Sequence, residues 1–331
     1  VLLRQVSLLA VLSLYSGWAN AQLADYDSVT FFGDSLSDPG NKYAQTGLKN
    51  TPPYDQLDEF LIPDGPYAKG GLNHSNGKTW TEQFAKPLGW GGYAKPAYRS
   101  HGKASNYAYG GARAGTPLVI PPCTEASSNL HLNDQVNSFL IDVDGDASSQ
   151  ALYALFIGGN DVADAVRVLP CFGGDPAASI FYIVGNALPS LEQAISDIYN
   201  AGGRTFLVGN SPDLGLTPAF NPPLNLFPGA SAAATCFSLL YNLGTDSNNM
   251  VSAQCGFPPG LDGLIDILIR LQATYTDIEF IQYDLFSKVR QLVLAPIEGE
   301  PQNGLMTCVM PDVPPFSCND PDNFVFWDGI H

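Results

Sequence analysis

The sequence is poor in positive charge. Lysine and arginine together number 15, against 32 aspartates and glutamates, and the formal net charge is −17. A protein that binds nucleic acid needs a basic surface to offset the phosphates, so we expect no nucleic-acid partner. The acidic balance also disfavours docking on an anionic lipid surface. Charged residues make up only 14% of the chain and hydrophobic residues 45%, which is typical of a globular protein rather than a disordered one.

The motifs of several cofactor-dependent classes are missing as well. The sequence has no Gly-x-Gly-x-x-Gly after a predicted strand and no Gly-Lys-Ser/Thr phosphate loop, so no nucleotide cofactor is expected. It has no Cys-x-x-Cys pair and no histidine at zinc spacing. The stretch 142–146 resembles part of a calcium loop, but its glycine is one position early and Tyr153 stands where a bidentate glutamate belongs. We therefore predict a solvated acidic loop there, with no metal and no cofactor.

Long hydrophobic runs are absent beyond the first residues. Residues 1–21 combine Arg4, a short apolar stretch and an Ala-Asn-Ala site, a pattern typical of a secretory signal peptide. A membrane anchor is the alternative, but the apolar run is too short to span a bilayer comfortably. No later segment offers about 18 uninterrupted apolar residues, so we expect no transmembrane segment. The pattern predicts cleavage before Gln22 and a secreted, extracellular chain with one domain over 22–331.

A secreted chain is expected to carry covalent modifications. Six cysteines form an even set, which in this compartment favours disulfides over free thiols, although the sequence leaves their connectivity open. Cys308 and Cys318 flank a short proline-rich loop, so we expect this pair to be bonded. Asn73-His74-Ser75 is the only N-glycosylation sequon and lies in a polar stretch that should be exposed, which predicts a glycoprotein.

Apolar runs predict alternating strands and helices. Runs that end at glycine or at turn residues predict strands at 28–32, 151–157, 204–208 and 278–283. Apolar residues at helical spacing predict helices at 79–88, 130–141, 177–200, 232–243, 261–275 and 285–294. Pro189 predicts a kink or break in the longest of these helices. Strands that alternate with helices of this length indicate a parallel sheet covered on both faces.

A serine follows the first predicted strand directly, in the stretch 33–36. That position is the mouth of an α/β sheet, where ligands bind in open sheets. Gly33 allows a sharp turn and a close approach of substrate to the backbone. Glycine, aspartate and serine are also ordinary turn residues, so the stretch alone does not identify Ser35 as a nucleophile.

One acid and one histidine near the end of the chain have the spacing of a catalytic pair. Asp328 and His331 are three residues apart, so the carboxylate can receive the Nδ1 proton and leave Nε2 free to accept another. The remaining three histidines have more ordinary explanations. We expect His131 to act at a helix start, and His74 and His101 to be solvated.

Two further stretches, 158–161 and 106–111, end apolar segments at the same predicted edge of the sheet. The side-chain amide of an asparagine and the N–H of a glycine are suitable donors to an oxyanion, because each offers a fixed dipole without a competing negative charge. Each stretch by itself is a weak signal, since Gly-Asn turns are common.

Taken together and in this order, these blocks resemble the GDSL esterases and lipases, also called SGNH hydrolases. The matching stretches are 31–38, 106–112, 156–161 and 326–331. Residues 75–80 are similar to the Ser-Asn-Gly-x-x-Trp segment of that family, and 304–318 to the cysteine-bearing approach to the last block in secreted members. The resemblance spans nearly the whole mature chain.

The resemblance implies a fold and a set of roles. The fold is a flavodoxin-like three-layer α/β/α arrangement with a mostly parallel central sheet. Ser35 is implied as the nucleophile, His331 as the general base and Asp328 as the residue that orients it. The implied oxyanion hole consists of the Ser35 and Gly111 N–H groups and the Asn160 side chain. Family chains continue past this histidine, so the resemblance also implies a longer natural C-terminus.

The function implied by the resemblance is hydrolysis of a carboxylic ester through an acyl-enzyme. The block around Ser35 is closer to the lipase and phospholipase-like members than to the carbohydrate acetylesterases. Two alternatives stay open, an acetylesterase acting on plant polysaccharide and a secreted binding protein that kept the fold and lost catalysis. The expected partner is a small-molecule, lipid or carbohydrate ester, and we expect a monomer.

Other polar residues near these blocks have structural explanations. Asp34 and Asp161 are expected to hold loop backbone by side-chain hydrogen bonds rather than act as acids, and the same holds for Asp38 and Asn41. Large aromatic residues are more often core than substrate platform, and this applies to Trp80, Trp90, Tyr107 and Tyr109.

Overall fold

A computed structural model describes most of the chain. The described residues are 26–47, 72–124, 126–222, 224–245, 250–309 and 318–331. The predicted signal peptide, residues 1–21, and the predicted start of the mature chain at Gln22 lie outside them. In the described part of the chain, no helix is both long enough and apolar enough to cross a bilayer.

The core of the fold is a parallel sheet of four strands. They are β1 (Ser28–Gly33), β2 (Ala151–Phe156), β3 (Thr205–Gly209) and β4 (Glu279–Tyr283), hydrogen-bonded in this order. All four match predicted strands to within two residues at either end. An extended segment, 105–109, lies along the free side of β1 and exchanges three backbone hydrogen bonds with it. The carboxyl ends of β1 and β2, and the turn after this segment, therefore meet at one edge.

Ten α-helices are found among the described residues. They are α1 (Asn41–Thr46), α2 (Trp80–Ala85), α3 (Leu132–Asp142), α4 (Gly159–Arg167), α5 (Ala177–Tyr182), α6 (Leu188–Asn200), α7 (Ser231–Leu243), α8 (Met250–Cys255), α9 (Leu264–Thr274) and α10 (Leu285–Leu294). Short 3₁₀ turns occur at Ala97–Arg99, Leu169–Phe172, Leu214–Leu216, Pro218–Phe220 and Pro321–Asn323. A two-stranded parallel ribbon, β5 (Asn303–Thr307) with β6 (Phe324–Phe326), precedes the last residues.

The predicted long helix over 177–200 is interrupted as the proline suggested. A π-helical turn, Ile183–Ala187, separates α5 from α6, and Pro189 lies in the first turn of α6. Proline has no N–H to donate and its ring clashes with the preceding turn of a regular helix. A wider turn at this point accommodates the ring, so the predicted break takes the form of a π-helical turn between two α-helices.

The two faces of the sheet are packed differently. One face, here called the packed face, carries Phe32, Tyr153, Leu155, Phe206 and Val208, each at most 2% exposed. These side chains form one large cluster with the apolar stripes of α3, α6, α7 and α9. The opposite face, here called the pocket face, begins with a smaller cluster in which Phe31 and Leu152 pack against α2 and the loop after it. Leu207 and Ile281, farther along this face, are only partly buried and line a cavity.

Three disulfides are formed by the described residues. The predicted bond between Cys308 and Cys318 is confirmed, and the other two pairs are Cys123–Cys171 and Cys236–Cys255. All six cysteines are thus bonded.

Candidate active site

The turn that carries Ser35 is fixed by a glutamine on the packed face. Gln135 of α3 accepts a hydrogen bond from the Gly33 N–H at 2.9 Å and donates its Nε2 to the Gly33 carbonyl at 2.8 Å. A Cβ at Gly33 would lie 2.4 Å from the Phe156 carbonyl oxygen, so only glycine allows β1 to end this close to β2. The end of β1 is therefore held from two sides immediately before Ser35.

Ser35, His331 and Asp328 form one hydrogen-bonded chain. Nε2 of His331 lies 2.7 Å from Oγ of Ser35, and Nδ1 lies 2.9 Å from Oδ2 of Asp328. Asp328 is fully buried, and its Oδ1 also accepts the N–H groups of Ile330 and His331, at 2.9 and 2.8 Å. A carboxylate at Nδ1 keeps the proton on that nitrogen, so the Nε2 lone pair faces the serine hydroxyl.

The segment that carries the histidine is tied to the body of the protein. Strand-like bonds run from the Cys308 N–H to the Phe326 carbonyl, at 2.9 Å, and from the Val309 N–H to the Trp327 carbonyl, at 3.3 Å. The carbonyl of Gly329 accepts the N–H of Ala219 at 2.9 Å. These bonds flank Asp328 on both sides and fix the turn from which His331 projects.

The predicted oxyanion donors lie on two adjacent turns. Asn160, at the start of α4, donates its Nδ2 to the Ala112 carbonyl at 2.8 Å, which joins the α4 start to the turn 109–112. An amide nitrogen carries two hydrogens, so this bond leaves one for a substrate. The neighbouring N–H of Gly110 donates instead to Asp38 at 2.9 Å. Gly111 has a φ of +77°, a left-handed conformation that glycine adopts without strain.

Asp38 and Asn41 hold loops together through side-chain hydrogen bonds to backbone, as predicted from the sequence. The buried carboxylate of Asp38 accepts four backbone N–H groups, three from residues 40–42 and one from Gly110. Asn41 donates to the carbonyls of Asn106 and Ala108, at 2.7 and 2.8 Å. These bonds connect the loop after Ser35 to the 105–109 segment. The turn that carries Ser35 and the turn 109–112 are therefore held at a fixed separation.

Asp34 and Asp161 also bind backbone, and both lie in a desolvated environment. Asp34 accepts the Leu36 N–H at 3.1 Å, and Asp161 accepts the N–H groups of Ala114 and Gly115, at 2.8 and 3.1 Å. Burial raises the pKa of Asp34 to about 7 and the pKa of Asp161 to about 6. Both carboxyls thus form part of the scaffold beneath the site.

The expectation that His74 is solvated was wrong. Its side chain is buried, with 6% exposure, and its ring stacks on His331 with the centroids 5.2 Å apart and the planes 28° apart. Asn73 is fully buried as well, with Nδ2 donating to the Gly77 carbonyl at 3.1 Å. A glycan needs an exposed asparagine, so the expected exposure of this sequon was also wrong. Local composition predicted a polar loop, but the loop folds into the site.

The remaining histidines behave as expected. His131 caps the start of α3, where its N–H donates to Asp134 at 3.0 Å, and its Nδ1 accepts the Arg113 N–H at 3.1 Å. Burial and the nearby Arg113 guanidinium lower the pKa of His131 to about 4. His101 is exposed and lies 3.2 Å from Asp142.

A cavity of about 700 Å³ opens at the serine and extends over the pocket face. Ser35 and His331 lie in its wall at one end, together with His74. Most of the remaining wall is aromatic or aliphatic, and includes Trp80, Phe84, Leu152, Leu207, Ile281 and Tyr283. The expectation that Trp80 is simply a core residue was therefore incomplete, because one side of its ring packs on Phe31 while the residue also lines this cavity.

Known proteins match this chain over nearly all of it. The sequence family described as GDSL-like Lipase/Acylhydrolase matches residues 29–331. Two GDSL esterase/lipases of Arabidopsis thaliana are each 25% identical over 350 residues, covering 94% and 93% of this chain and 82% and 81% of their own lengths. Lipase 1 of Photorhabdus luminescens is 29% identical over 194 residues, which is 58% of this chain and only 23% of that lipase. The match from the start of β1 to His331 means that the chain belongs to the GDSL lipase/acylhydrolase family and is a hydrolase of ester bonds.

Proposed function

We propose that this protein is a secreted serine hydrolase that cleaves carboxylic esters through a covalent acyl-enzyme on Ser35. The observation that carries the proposal is the hydrogen-bonded chain from Ser35 Oγ through His331 to Asp328, at the mouth of an apolar cavity. Serine alone is a weak nucleophile and needs an adjacent base that a third group orients. The three side chains have the separations that this chemistry requires.

The first half-reaction forms the acyl-enzyme. Oγ of Ser35 attacks the ester carbonyl carbon while Nε2 of His331 takes the hydroxyl proton. Asp328 stabilises the resulting imidazolium. The tetrahedral intermediate then expels the alcohol, which receives that proton from His331. Water attacks the acyl-serine in the second half-reaction, with His331 again accepting and returning a proton, and releases the carboxylic acid.

Negative charge on the substrate oxygen needs fixed donors. We assign this role to the N–H groups of Ser35 and Gly111 and to the Asn160 side chain. The bond from Asn160 to Ala112 supports the assignment, because it keeps the amide rigid and adjacent to the turn that carries Gly111. Preorganised donors of this kind stabilise the transition state more than the ground state, where the carbonyl oxygen carries little charge.

Secretion is supported by two independent features. Residues 1–21 have the pattern of a cleavable signal peptide. All six cysteines are paired in disulfides, which form and persist in oxidising compartments. We propose that the mature hydrolase domain begins at Gln22.

The decisive experiment replaces Ser35 and compares it with a second serine in the same cavity wall. Turnover of p-nitrophenyl butyrate by Ser35→Ala should fall by about 10⁴–10⁶, because triad members act as a unit. Ser75 lines the same cavity, and Ser75→Ala should stay within about threefold of the parent kcat. Unchanged thermal unfolding would show that both variants fold. Retention of more than a tenth of the activity in Ser35→Ala would refute the proposal, and an inactive parent would favour the binding-protein alternative.

A further inference from the structure

The cavity beside Ser35 has an apolar lining that suits a hydrocarbon chain. It starts at the carboxyl edge of the sheet, where the rings of Trp80 and Phe156 lie 4.4 Å apart, centroid to centroid. It continues along the pocket face to Leu152, a buried side chain that bounds its inner end, four residues back along β2. At about 3.3 Å per strand residue, the cavity extends about 13 Å from the edge. An extended alkyl chain advances a little over 1 Å for each C–C bond of about 1.5 Å, so about ten carbon atoms fill this length.

The floor of the cavity comes from three strands in register. Leu207 of β3 pairs with Ala154 of β2 on one side and with Ile281 of β4 on the other, so these side chains point to the same face. A glycine, Gly209, follows on β3, and a Cβ there would lie 2.5 Å from the Phe156 ring. The missing side chain lets the Phe156 ring lie flat across the strand, which keeps the entrance open toward Leu207.

We infer that this cavity binds one unbranched hydrocarbon chain of the ester, of about ten carbons, and that Leu207 and Ile281 set the chain length accepted. The inference rests on the proposed function, because the chain is placed by the carbonyl at Ser35. An apolar wall offers a hydrated polysaccharide few hydrogen-bond partners, so the cavity favours a lipid-like ester over an acetylated carbohydrate. The chain can belong to the acid or to the alcohol of the ester, and the two sources are separable by experiment.

The test measures kcat/KM along two substrate series, with every ester kept below its micelle-forming concentration. One series varies the acyl chain of p-nitrophenyl esters from acetate to dodecanoate, and the other varies the alkyl group of alkyl acetates. Each buried CH₂ contributes about 0.8 kcal/mol, which corresponds to about a fourfold gain. In one of the series we expect kcat/KM to rise by at least about 100-fold up to about ten carbons and then level off.

Variants at the cavity floor give the specific prediction. Leu207→Trp and Ile281→Trp should fill the far part of the cavity and lower kcat/KM for the ten-carbon ester at least about tenfold, while the two-carbon ester changes less than about threefold. Ile269, on α9, is 60% exposed and does not line the cavity, so Ile269→Trp is the matched control and should leave the profile unchanged. Leu207→Ala offers a second variant that does not add volume, and it should extend the preferred chain.

The outcomes separate this inference from the proposed function. Turnover that depends on Ser35 but is flat along both series, or a profile that Leu207→Trp and Ile281→Trp leave unchanged, would overturn the cavity assignment and leave the serine mechanism standing. Turnover that persists in Ser35→Ala would overturn the mechanism itself.

A second inference concerns His74 and stands on a different observation. The His74 ring stacks on His331. It also lies close to the backbone of Gly110, where a Cβ would be 2.3 Å from His74 Nε2. The ring therefore has little room to move. Gly110 is itself held by Asp38. The imidazole of His331 is thus bonded at both ring nitrogens in its plane and covered on one face by a fixed aromatic ring.

We propose that His74 is a positioning residue that holds the plane of the His331 ring. If packing is what matters, His74→Phe should keep kcat within about threefold, whereas His74→Ala should lower kcat about tenfold with KM nearly unchanged. Both variants are checked for thermal unfolding. Full kcat in His74→Ala would refute the role. Equal loss in His74→Phe and His74→Ala would refute it too, because the ring nitrogens rather than the ring plane would then be needed.

Discussion

The two faces of the central sheet serve different purposes. Neighbouring residues of β3 illustrate this, because Val208 points into the packed face and is 2% exposed, while Leu207 points into the cavity and is only partly buried. The packed face anchors the turn that carries Ser35 through Gln135, whose side chain brackets Gly33. The pocket face leaves apolar surface available to a ligand. Stability and substrate preference should therefore respond to different sets of substitutions.

The sharpest form of this comparison uses the same substitution on each face. Leu155→Ala, on the packed face, should lower the free energy of unfolding by about 2–5 kcal/mol, because it leaves a cavity in a closed core. Leu207→Ala should lower it by about 1 kcal/mol or less, because its site is already open. Chemical denaturation measures both values. Equal losses would remove the distinction between the faces.

Asn160, at the edge of the sheet, should affect kcat without affecting the packing of either face. Asn160→Ala is expected to lower kcat about 10²–10³-fold, which is roughly 3–4 kcal/mol, with little change in KM. Asn160→Asp should be at least as damaging, because a carboxylate would repel the oxyanion. Kinetics on a short ester, with circular dichroism as the folding control, test this prediction. An active Asn160→Gly would reduce the residue to a turn former.

The disulfide between Cys308 and Cys318 precedes His331, the proposed general base, and should stabilise the whole chain. Cys308 and Cys318 are 10 residues apart, and a crosslink that closes a loop of this size stabilises by about 2–3 kcal/mol in the chain-entropy account. The double variant Cys308→Ser/Cys318→Ser should lose about that much. The kcat should also fall, because Cys308 pairs with Phe326, two residues before Asp328. Calorimetry and steady-state kinetics measure the two effects. A variant with parent stability and parent kcat would contradict the prediction.

A pH dependence of stability is expected from His131, at the start of α3. An unfolded histidine has a pKa of about 6.5, and the pKa of His131 is lowered to about 4 in the fold. Between these values the unfolded chain binds more protons, so stability falls as pH falls from about 6.5 toward 4. His131→Asn keeps a capping side chain and removes the titration, so its stability should fall less over this range. Parallel curves for the two proteins would argue against the assignment.

Much of the sheet, and the contact between Asp328 and His331, could be predicted from the sequence. The continuous apolar run 151–157, which ends at two glycines, indicates a strand buried on both faces. Asp328 and His331 are close in sequence, so their contact needs no long-range information. The helix α4 was missed because its first residue, Gly159, directly follows Gly158, and two adjacent glycines disfavour helix and favour a turn. The preceding Gly158 does turn, with a φ of +124°, and the helix starts directly after it.

The features that escaped prediction depend on contacts between distant segments. Gln135 is one polar position in an amphipathic helix, and nothing local reveals that it brackets the end of β1. His74 lies in a stretch whose composition predicts exposure, yet it is buried because Gly110, far along the chain, has no side chain. The cavity could not be predicted either. Hydrophobic periodicity shows that a strand has two apolar faces, but it does not show how far helices cover each face.

The central claim is that Ser35 is the nucleophile of a triad, and covalent labelling tests it most directly. A fluorophosphonate reacts with an activated serine hydroxyl and leaves a stable adduct whose position peptide mass spectrometry can assign. The account predicts one adduct per chain, on Ser35, with label incorporation and loss of ester hydrolysis proceeding at the same rate. It further predicts no adduct in Ser35→Ala and greatly slowed labelling in His331→Ala. An adduct on Ser75 or Ser37, or full hydrolysis by a chain fully labelled at Ser35, would contradict it.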